Sequence, residues 1–490
     1  MGAMFSIGEI VKATGGVPAG AATADTGALI TGVSTDTRTL GPGDAFFALS
    51  GENHDAHDHL DKAAAGGAAL LVVSDAAKAP ADYSGTVLLV DDTLRAYQEL
   101  AAYYRDKIDP LVIAVTGSVG KTTMKDMIAC VLTEKSRVCF TRGNLNNHIG
   151  LPRTILEAAE DTEIFVLEMG MSQAGEILRL CEIARPDVCV ITNIGISHRE
   201  NFDSDDGILN AKYEIAAFLG DGCTLVIDAG GNPELDRLAA EGSREKGFRL
   251  LRVAAEDTPA AEYSDYIVSG TRLSEEDLVL SLFEVRESRD GAEVPFSVPV
   301  PGVYAGISAA LASAVCSCAD ISLADSAKAL TGLKRTAHRL DPMMINGVLV
   351  IDDTYNASPA STGSGLEYLK NVNAEKRIAV LADMNELGGD SETMHRETGA
   401  LAVRLGTDRI YTYGEKARWI ADGAGAEATG GRHLTKVFYF GADEKDELIK
   451  RLRDEVRKGS AIYVKGSRSM KMEEVVSALT GFAEGEDGSV

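Results

Sequence analysis

One short segment limits the possible folds of this chain more than any other feature of its sequence. Residues 117–123 read Gly-x-x-Gly-Lys-Thr-Thr, the apolar stretch 111–115 precedes them, and a helical pattern follows through Leu132. A glycine loop between a buried strand and a helix binds phosphate, because the N–H groups of the loop and of the helix start point at the phosphate oxygens. The segment therefore predicts a phosphate loop in an α/β domain, although Val115 occupies the position of the usual first glycine.

The residues of this loop have separate predicted tasks. Lys121 neutralises charge on the β- and γ-phosphates, and the hydroxyl of Thr122 is a ligand for Mg²⁺. The alternative is a Gly/Ser turn with an exposed lysine, but the flanking strand and helix favour phosphate binding. The predicted nucleotide-binding residues of the loop are Thr116, Gly117, Ser118, Val119, Gly120, Lys121, Thr122 and Thr123.

Two further side chains are predicted near this loop, each after a buried strand. Glu168 follows the apolar stretch 164–167, and His198 follows the stretch 188–191. Parallel sheets place their sites at the carboxyl ends of strands, and a carboxylate there is a hard ligand for Mg²⁺. The alternatives are a solvated strand end for Glu168 and a surface residue for His198. Spacing by itself favours the metal role for Glu168 and the surface role for His198.

Strands alternate with helices over most of the chain, which predicts an α/β fold with three domains. Residues 1–108 are expected to form a small α/β domain, with apolar stretches at 68–73 and 86–90. Residues 109–332 are expected to form a doubly wound domain that contains the phosphate loop, and residues 333–490 a Rossmann-like domain. The strands predicted for these two domains are 111–115, 164–167, 188–191, 224–227, 348–351, 378–381, 409–412 and 461–464, with a charged helix at 444–457.

The chain is strongly acidic, and this excludes two classes of partner. Its 490 residues include 48 Lys and Arg against 74 Asp and Glu, for a net charge of −26. Nucleic acids and anionic membrane surfaces both need a basic footprint, so an anionic ligand must be held by a local site. No stretch approaches the roughly 18 apolar residues of a membrane span. The seven cysteines are scattered without a C-x-x-C pair, which is typical of a reduced, cytoplasmic protein.

A group of histidines, His54, His57 and His59, has a spacing close to that of metal sites. The group is interleaved with Asp55 and Asp58, a composition typical of a polar loop and a helix start. No metal is predicted there.

Six segments besides the phosphate loop carry motifs. They are Gly143-Asn-Leu-Asn-Asn-His-Ile-Gly150, Glu168-Met-Gly170, Asn193-Ile-Gly-Ile-Ser-His198, Ala211-Lys-Tyr-Glu-Ile215, Asp352-Asp-Thr-Tyr-Asn-Ala-Ser-Pro359 and Lys465-Gly-Ser-Arg468. Together with the loop, and in this order, they resemble the signatures of the Mur ligases of peptidoglycan synthesis. The motifs are most similar to those of the members that join D-alanyl-D-alanine to a UDP-N-acetylmuramoyl-tripeptide. The resemblance covers nearly the whole chain and all three domains.

The resemblance implies an ATP-driven amide synthesis that uses Mg²⁺. A substrate carboxylate is phosphorylated, and an amine then attacks the acyl phosphate. By similarity, Lys121 stabilises the transferring γ-phosphoryl group, and Lys212, expected at the start of a helix, is carbamylated by CO₂ into an anionic ligand. Spacing by itself favours the alternative for Lys212, an ordinary solvated lysine. The implied metal ligands are Thr122 and Glu168 for one Mg²⁺, with His198 and the carbamylated Lys212 for a second; Lys121, Glu168, His198 and Lys212 are the implied catalytic residues.

The resemblance also assigns residues to the substrates. Ser34, Thr35, Asp36 and Arg38 match a segment that recognises the uridine nucleotide, although Arg38 is alternatively a structural partner of Asp36 or Asp44. Asn144, Asn146 and Asn147 match a loop that lies along the UDP-muramoyl substrate, and the alternative for them is a local role in a turn. In the third domain, the positions that match contacts to ATP after domain closure are Arg339, Asp353, Tyr355 and Asn356.

Some positions depart from the family pattern. The segment that usually reads P-G-x-H-N is Pro301-Gly-Val-Tyr-Ala305 here, which removes the His and Asn expected near the adenosine. Ser358 replaces a usual Asn, and Ala382 replaces a usual Gly. Since the phosphate, metal and lysine positions are intact, activity is expected.

Three functions are weighed. The first is a dipeptide-adding ligase, expected as a cytoplasmic monomer whose partners are its two substrates. The second is a ligase of the same architecture that adds a single amino acid, or glutamates to a folate; the 352–357 loop, the long first domain and the absence of a D-N-P-R segment speak against it. The third is a nucleotide-dependent switch, for which Glu168, His198 and Lys212 together would be superfluous.

Overall fold

The computed structural model confirms the predicted α/β fold. It describes residues 4–19, 26–51, 54–195, 199–202, 204–289, 291–302, 304–430 and 434–485. Three successive units follow one another along the chain, each built on its own main sheet of mostly parallel strands. In these described segments, no helix is long and apolar enough to cross a membrane.

The first unit contains a small five-stranded sheet with strand order β2-β7-β6-β5-β4 and a two-stranded ladder of β1 and β3. Strands β4 to β7 run parallel, and β2 lies antiparallel at one edge. The predicted apolar stretches are confirmed as β6 and β7. The elements are β1 (Phe5–Ser6), α1 (Ile7–Thr14), β2 (Val17–Ala19), β3 (Leu29–Ile30), β4 (Val33–Ser34), β5 (Ala45–Phe47), α2 (Leu60–Ala65), β6 (Leu70–Val73), β7 (Thr86–Leu89) and α3 (Thr93–Ile108).

The second unit is built on a nine-stranded sheet with the order β16-β15-β14-β13-β12-β11-β8-β10-β9. All four strands predicted for it are confirmed. Its elements are β8 (Leu111–Thr116), α4 (Lys121–Leu132), β9 (Val138–Phe140), α5 (Gly150–Leu156), β10 (Ile164–Glu168), α6 (Glu176–Ala184), β11 (Val188–Ile191), α7 (Asp205–Tyr213), β12 (Thr224–Asp228), α8 (Pro233–Lys246), β13 (Arg249–Ala255), β14 (Tyr266–Leu273), β15 (Ser281–Glu287), β16 (Glu293–Val298), α9 (Ala305–Ser317) and α10 (Leu323–Leu330).

Strand β8 shows why this sheet is doubly wound. Its residues Val112 and Ala114 point to one apolar core, and Ile113 and Val115 point to the other. Helices α4, α9 and α10 cover the second core, whereas α5 to α8 cover the first. A strand buried on both faces reads as a continuous apolar run, and this is why the central strands could be predicted from the sequence.

The antiparallel edge of this sheet was not predicted. Strands β15 and β16 pair antiparallel beyond β14. In β15 the exposed residues Glu284 and Arg286 alternate with the buried residues Phe283 and Val285. Strands with one solvated face alternate polar and apolar residues, so a search for continuous apolar runs overlooks them.

The third unit has a six-stranded sheet with the order β17-β18-β22-β19-β20-β21, in which only β17 pairs antiparallel among the described strands. The four predicted strands are confirmed as β18, β19, β20 and β22, and the predicted charged helix is α14. Its elements are β17 (Asp341–Ile345), β18 (Val348–Asp353), α11 (Pro359–Asn371), β19 (Lys376–Ala382), α12 (Ser391–Arg404), β20 (Arg409–Tyr413), α13 (Ala417–Gly430), β21 (Lys436–Phe440), α14 (Lys445–Glu455), β22 (Ser460–Lys465) and α15 (Glu473–Gly485).

Helix α3 joins the first two units. Its buried face belongs to a core that continues into α5 and α6 of the second unit. The Tyr104 hydroxyl donates to the Ala158 carbonyl at 2.9 Å, and the Gln98 amide donates to the His148 carbonyl at 2.9 Å. The predicted boundaries after residues 108 and 332 lie between the sheets, and as domain boundaries they stay predictions.

The second and third units also touch. The Tyr368 hydroxyl of α11 donates to the Leu278 carbonyl at 2.7 Å. On another side, Gly388 packs so closely on Glu200 that an added Cβ would lie 2.9 Å from the Glu200 Cα. This contact brings the loop after β19 against the segment that follows β11.

Candidate active site

The phosphate loop connects β8 to α4, as predicted from the sequence. Gly117 has φ +145°, and a Cβ at this position would lie 2.0 Å from the Thr192 Oγ1. A side chain is therefore excluded both by the backbone conformation and by the neighbouring loop. Thr116 is fully buried and its hydroxyl donates to the Met169 carbonyl at 2.9 Å, so this side chain fixes the end of the strand.

The segment that follows β11 holds the phosphate loop in shape. The Ser118 hydroxyl donates to the Gly195 carbonyl at 2.6 Å, and the Val119 N–H donates to the Asn193 Oδ1 at 3.0 Å. The Val119 carbonyl accepts from the Thr192 hydroxyl at 2.6 Å and from the Asn193 amide at 2.8 Å. These supporting roles of Thr192 and Asn193 were not predicted, although Asn193 begins one of the family motifs.

Lys121 lies at the start of α4 and folds back over the loop. Its ammonium donates to the Gly117 carbonyl at 2.8 Å. Burial lowers the pKa of Lys121, the charge of Glu168 opposes this shift, Arg339 adds to it and Glu386 opposes it. Charges from the third unit therefore reach the phosphate loop, together with an acid at the end of β10.

Glu168 contacts two other predicted site residues, Thr122 and Asn146. It is 3% exposed; its Oε2 accepts from the Thr122 hydroxyl at 2.9 Å, and its Oε1 accepts from the Asn146 amide at 2.8 Å. A carboxylate and a hydroxyl side by side are the hard oxygen donors that Mg²⁺ prefers. The pair fits the implied metal, although no cluster of three or more His, Cys, Asp or Glu with metal-binding geometry occurs within the described parts of the chain. His198 lies outside the described residues.

Lys212 is not a solvated surface lysine. It is 2% exposed and lies in the last turn of α7, so the expectation of a helix start was wrong, because Ser204 caps that helix and Asp205 begins it. Burial, followed by the charge of Lys121, lowers the pKa of Lys212 well below its ordinary value. The structure thus places near the phosphate loop a buried lysine whose surroundings disfavour its charged form.

In the third unit, Arg339 packs against Tyr355, and the Asp353 carboxylate accepts hydrogen bonds from other residues of the chain. The Arg339 guanidinium lies 4.0 Å from the centre of the Tyr355 ring. The Asp353 Oδ2 accepts from the Lys465 ammonium at 2.6 Å and from the Tyr463 hydroxyl at 2.9 Å. Its Oδ1 accepts from the Leu340 N–H at 3.1 Å, so Asp353 fixes the segment that carries Arg339.

Two other members of the predicted nucleotide set have less defined surroundings. Asn356 is exposed on the loop after β18. Thr123 lines a small cleft between the second and third units, together with Asp126 and Arg339. Tyr304, at the departure from the family pattern, is 63% exposed just before α9, and it offers a ring surface where the family has an imidazole.

Glu386 was not predicted from the sequence. It is an acid of the third unit whose charge raises the pKa of Lys121. Glu386 has φ +64° and belongs to the loop after β19. The loop is held by the Met384 N–H, which donates to the buried His395 Nε2 at 3.0 Å, and by the Asn385 N–H, which donates to the Ser467 hydroxyl at 2.8 Å. The position of this loop after a buried parallel strand is the signal that could have found it.

The predicted uridine-nucleotide segment is internally bonded. The Arg38 guanidinium pairs with Asp36 at 2.6 Å and is otherwise exposed, while the Asp44 carboxylate accepts from the Gly41 N–H at 2.7 Å. The hydrogen bonds from Arg38 lower the pKa of Asp36 to about 2. The Ser34 hydroxyl donates to the Asp36 carbonyl at 2.9 Å. Arg38 therefore pairs with Asp36; its contact with the uridine nucleotide stays a prediction.

Of the other residues predicted to bind the UDP-substrate, one is hydrogen bonded within its own turn and two are at least partly exposed. The Asn147 Oδ1 accepts from the Gly150 N–H at 2.9 Å, as expected of a turn residue. Asn144 is exposed, and Thr35 is half-buried beside Ser34. Among the histidines of the polar loop, His57 is buried, with its Nδ1 2.7 Å from the Asp55 Oδ1 and its Nε2 accepting from the Ser74 N–H at 3.0 Å.

Models of three protein domains match successive parts of the chain. Residues 29–105 match the Mur ligase family catalytic domain, residues 115–316 match the Mur ligase middle domain, and residues 338–468 match the Mur ligase glutamate ligase domain. These ranges correspond to the three units of the structure.

Proteins similar over the full length are known from several bacteria. The chain is 38% identical to the UDP-N-acetylmuramoyl-tripeptide–D-alanyl-D-alanine ligase of Bacillus subtilis over 97% of each chain. It is 36% identical to the Escherichia coli enzyme of the same name, over 91% of this chain and 93% of that one. A crystal structure of MurF from Acinetobacter baumannii superposes with a TM-score of 0.85 at 28% identity, covering 98% of this chain and 99% of that one. MurF ligase from Thermotoga maritima in complex with ADP superposes with a TM-score of 0.79 at 27% identity, covering 92% and 98%. Since sequence and fold agree from the first unit to the third, this chain belongs to the Mur ligase family.

Proposed function

We propose that this protein joins D-alanyl-D-alanine to a UDP-N-acetylmuramoyl-tripeptide with the hydrolysis energy of ATP, as a step of peptidoglycan precursor synthesis. The observation that carries the proposal is the cluster of Lys121, Thr122, Glu168 and Lys212 at one edge of the central sheet, with Arg339 and Glu386 facing it from the third unit. The named relatives in Bacillus subtilis and Escherichia coli support this choice of substrates.

The reaction has two steps. A carboxylate oxygen of the tripeptide attacks the γ-phosphorus of ATP, the bond to the β-phosphate oxygen breaks, and an acyl phosphate and ADP form. The amine of the dipeptide then attacks the acyl carbon, loses a proton and displaces inorganic phosphate. Lys121 stabilises the charge that develops on the transferring phosphoryl group, which is the largest contribution of such sites.

Thr122 and Glu168 are the residues that would hold Mg²⁺, with His198 and a carbamylated Lys212 as ligands of a second ion. When bound, Mg²⁺ supplies positive charge that draws two anionic substrates together. The Asn146 amide keeps one Glu168 oxygen oriented, and the Thr122 hydroxyl lies at the other. Carbamylation of Lys212 rests on its burial and its depressed pKa, because only a neutral amine attacks CO₂.

Different units are proposed to bind different substrates. We assign the UDP-substrate to the first unit and the adjacent loop, through Ser34, Thr35, Asp36, Arg38, Asn144, Asn146 and Asn147. ATP binds on the phosphate loop and is covered by the third unit through Arg339, Asp353, Tyr355 and Asn356. The enzyme is proposed to act as a cytoplasmic monomer, with domains that end at residues 108 and 332.

Release of ADP, measured with each amine and each UDP-muramoyl peptide in turn, tests the function. A ligase of this kind releases ADP only when the UDP-substrate, ATP and D-alanyl-D-alanine are all present. Release that is indifferent to both the peptide and the amine would contradict a ligase and favour a nucleotide-dependent switch. Release supported by a single amino acid instead of the dipeptide would favour the related ligase.

A further inference from the structure

Lys125 is a buried lysine that the proposed chemistry does not use. It lies on α4, four residues after Lys121, and is 3% exposed. Its ammonium donates to the Thr141 carbonyl at 2.9 Å and pairs with the Asp126 carboxylate at 2.6 Å; it also lies 5.2 Å from the centre of the Phe140 ring. A buried ammonium is costly unless such partners compensate it, so these contacts fix the geometry of the groups around Lys125.

One of these groups begins a segment that we call the substrate loop, residues 141–147. The Thr141 carbonyl is held by Lys125, and the Thr141 hydroxyl accepts from the Glu168 N–H at 2.9 Å. Farther along, the Asn146 side-chain amide donates to the Glu168 carboxylate, and the Asn146 backbone carbonyl accepts from the Gly170 N–H at 2.8 Å. The carbonyl that Lys125 holds is therefore the first backbone acceptor of the substrate loop, which also reaches Glu168 through Asn146.

The other group leads to the third unit. The Asp126 Oδ2 accepts from the Thr336 hydroxyl at 2.7 Å, while its Oδ1 pairs with Lys125. Thr336 belongs to the linker segment, residues 333–340, which runs from α10 to β17. The same segment carries Arg339, whose charge lowers the pKa of Lys121 and whose guanidinium lies over the Tyr355 ring. A single carboxylate on the phosphate-loop helix thus connects the substrate loop with the linker segment.

We propose that Lys125 and Asp126 are positioning residues that couple the binding of the UDP-substrate to the binding of the nucleotide under Arg339. The inference rests on the proposed function, since it takes the UDP-substrate to lie on the substrate loop. An occupied loop fixes the Thr141 carbonyl, Lys125 then fixes the Asp126 carboxylate, and Asp126 holds the linker segment through Thr336. Coupling of this kind is reciprocal, so each ligand raises the affinity of the other by the same factor.

The test is the affinity of the protein for a non-hydrolysable ATP analogue, measured by calorimetry with and without saturating UDP-N-acetylmuramoyl-tripeptide. The ratio of the two dissociation constants is the coupling factor, and such factors typically lie between about 5 and 150. Thr336→Val removes the hydroxyl and keeps the shape of the side chain. We expect it to reduce the coupling factor about threefold or more, with little change in the affinity for the analogue alone.

We call the contacts from Thr141 through Lys125 and Asp126 to Thr336 the relay. Matched variants distinguish the loss of this relay from general damage to the fold. Thr331→Val is the control, because the Thr331 hydroxyl only donates to the Lys328 carbonyl at 2.8 Å in the preceding turn. Asp126→Asn is expected to reduce the coupling factor as Thr336→Val does, and the double variant is expected to lose no more than either alone, since both break one path. Lys125→Met is the more severe change, and the Thr336 and Asp126 variants keep the test valid should it fail to fold.

The outcomes distinguish the relay from the proposed function. Wild-type coupling in both Thr336→Val and Asp126→Asn, in a protein that releases ADP only with both substrates, would overturn the relay and leave the function standing. A wild-type protein in which the UDP-substrate and the analogue bind independently would also overturn the relay. A protein that does not bind the UDP-substrate at all would overturn the function itself.

Discussion

At the scale of single residues, two lysines at the same edge of the central sheet have opposite requirements. In the proposed reaction Lys121 serves as a cation next to phosphate, and Lys212 serves after it has lost its charge. Burial lowers the pKa of both lysines, and that of Lys212 falls well below its ordinary value. Part of the penalty on Lys212 comes from the charge of Lys121. A carbamate on Lys212 would convert this repulsion into an attraction.

Replacement of Lys121 by alanine is expected to abolish turnover and to preserve the fold. Among the described residues, its side-chain ammonium donates only to the Gly117 carbonyl in the same loop, so little packing is lost. Removing an electrostatic donor of this kind lowers the rate by about 100-fold or more. The measurement is steady-state ADP release, with Lys135→Ala as a control, since Lys135 is an exposed lysine paired with Asp325. Turnover near the wild-type value would refute the role given to the phosphate loop.

Replacement of Lys212 by alanine is expected to leave the protein folded, able to bind the UDP-substrate and nearly inactive. Added formate should restore part of the rate, because a small carboxylate fits the vacated place of the carbamate. Lys212→Met is the control for folding, and its free energy of unfolding should equal or exceed that of the wild type, since it removes a buried amine. Full activity of Lys212→Ala without formate would falsify the assignment.

The depressed pKa of Lys212 also gives a sign to the effect of pH. The folded protein holds this proton less strongly than the unfolded chain does. The free energy of unfolding therefore decreases as the pH falls from the unfolded-state pKa of Lys212 towards its lower folded-state pKa. A lower pH also converts the amine to the ammonium, which does not react with CO₂. Carbamate formation releases a proton, so at acidic pH a smaller fraction of Lys212 is carbamylated at a given CO₂ concentration. Lowering the CO₂ concentration of the buffer should therefore reduce the rate of ADP release reversibly, and by a larger factor at acidic than at basic pH. Equal activity with and without CO₂ at every pH would argue against carbamylation.

At the scale of elements, the contact between helices α12 and α13 of the third unit depends on two glycines. A Cβ on Gly423 of α13 would lie 2.0 Å from the Arg396 carbonyl oxygen, and a Cβ on Gly399 of α12 would lie 2.0 Å from the Ile420 carbonyl oxygen. The two helices therefore pack backbone against backbone. Gly425, on the same helix, has no atom within 4 Å of the corresponding Cβ position.

This difference predicts opposite effects of two alanine substitutions. Gly423→Ala should destabilise the third unit by about 2 kcal/mol or more, because the helices must separate. Gly425→Ala should stabilise it by about 0.5–1 kcal/mol, because alanine is favoured in a helix and meets open space. Trp419 is the single tryptophan of the chain and lies on α13, so its fluorescence during urea unfolding reports on this unit. Effects of the same sign would contradict the packing described.

At the scale of the whole molecule, the active site is assembled from separate units. Arg339 and Glu386 belong to the third unit, and their charges act on Lys121 in the second. Gly388 contacts Glu200 beside this site, and its φ of +56° allows the loop to approach that closely. The acyl phosphate of the proposed reaction requires exclusion of water, and an approach of two units would provide it.

We expect the third unit to move towards the second when ATP and the UDP-substrate bind together. The radius of gyration from small-angle X-ray scattering should therefore be smaller with both ligands than without them. Measurements with each ligand alone are the controls, and they show which ligand is sufficient. An unchanged radius of gyration with both ligands would count against this movement.

The amino-acid sequence by itself determined the parts of this protein that depend on local pattern. The phosphate loop, the continuous apolar strands and the acid at the end of β10 follow from residues close together in the chain, whose period and order are visible without a structure. The family motifs extended this to the order of the three units.

Only the tertiary structure decided what depends on contacts between distant residues. Lys125 and Lys212 are charged residues of helices, and the structure shows that both are buried, at 3% and 2% exposed. Asp353 is engaged by Lys465, 112 residues away, and Glu386 reaches Lys121 across two units. Burial and electrostatic environment are properties of three-dimensional neighbourhoods, so a linear pattern names the charged groups and the fold determines which of them are neutral, paired or directed at the substrate.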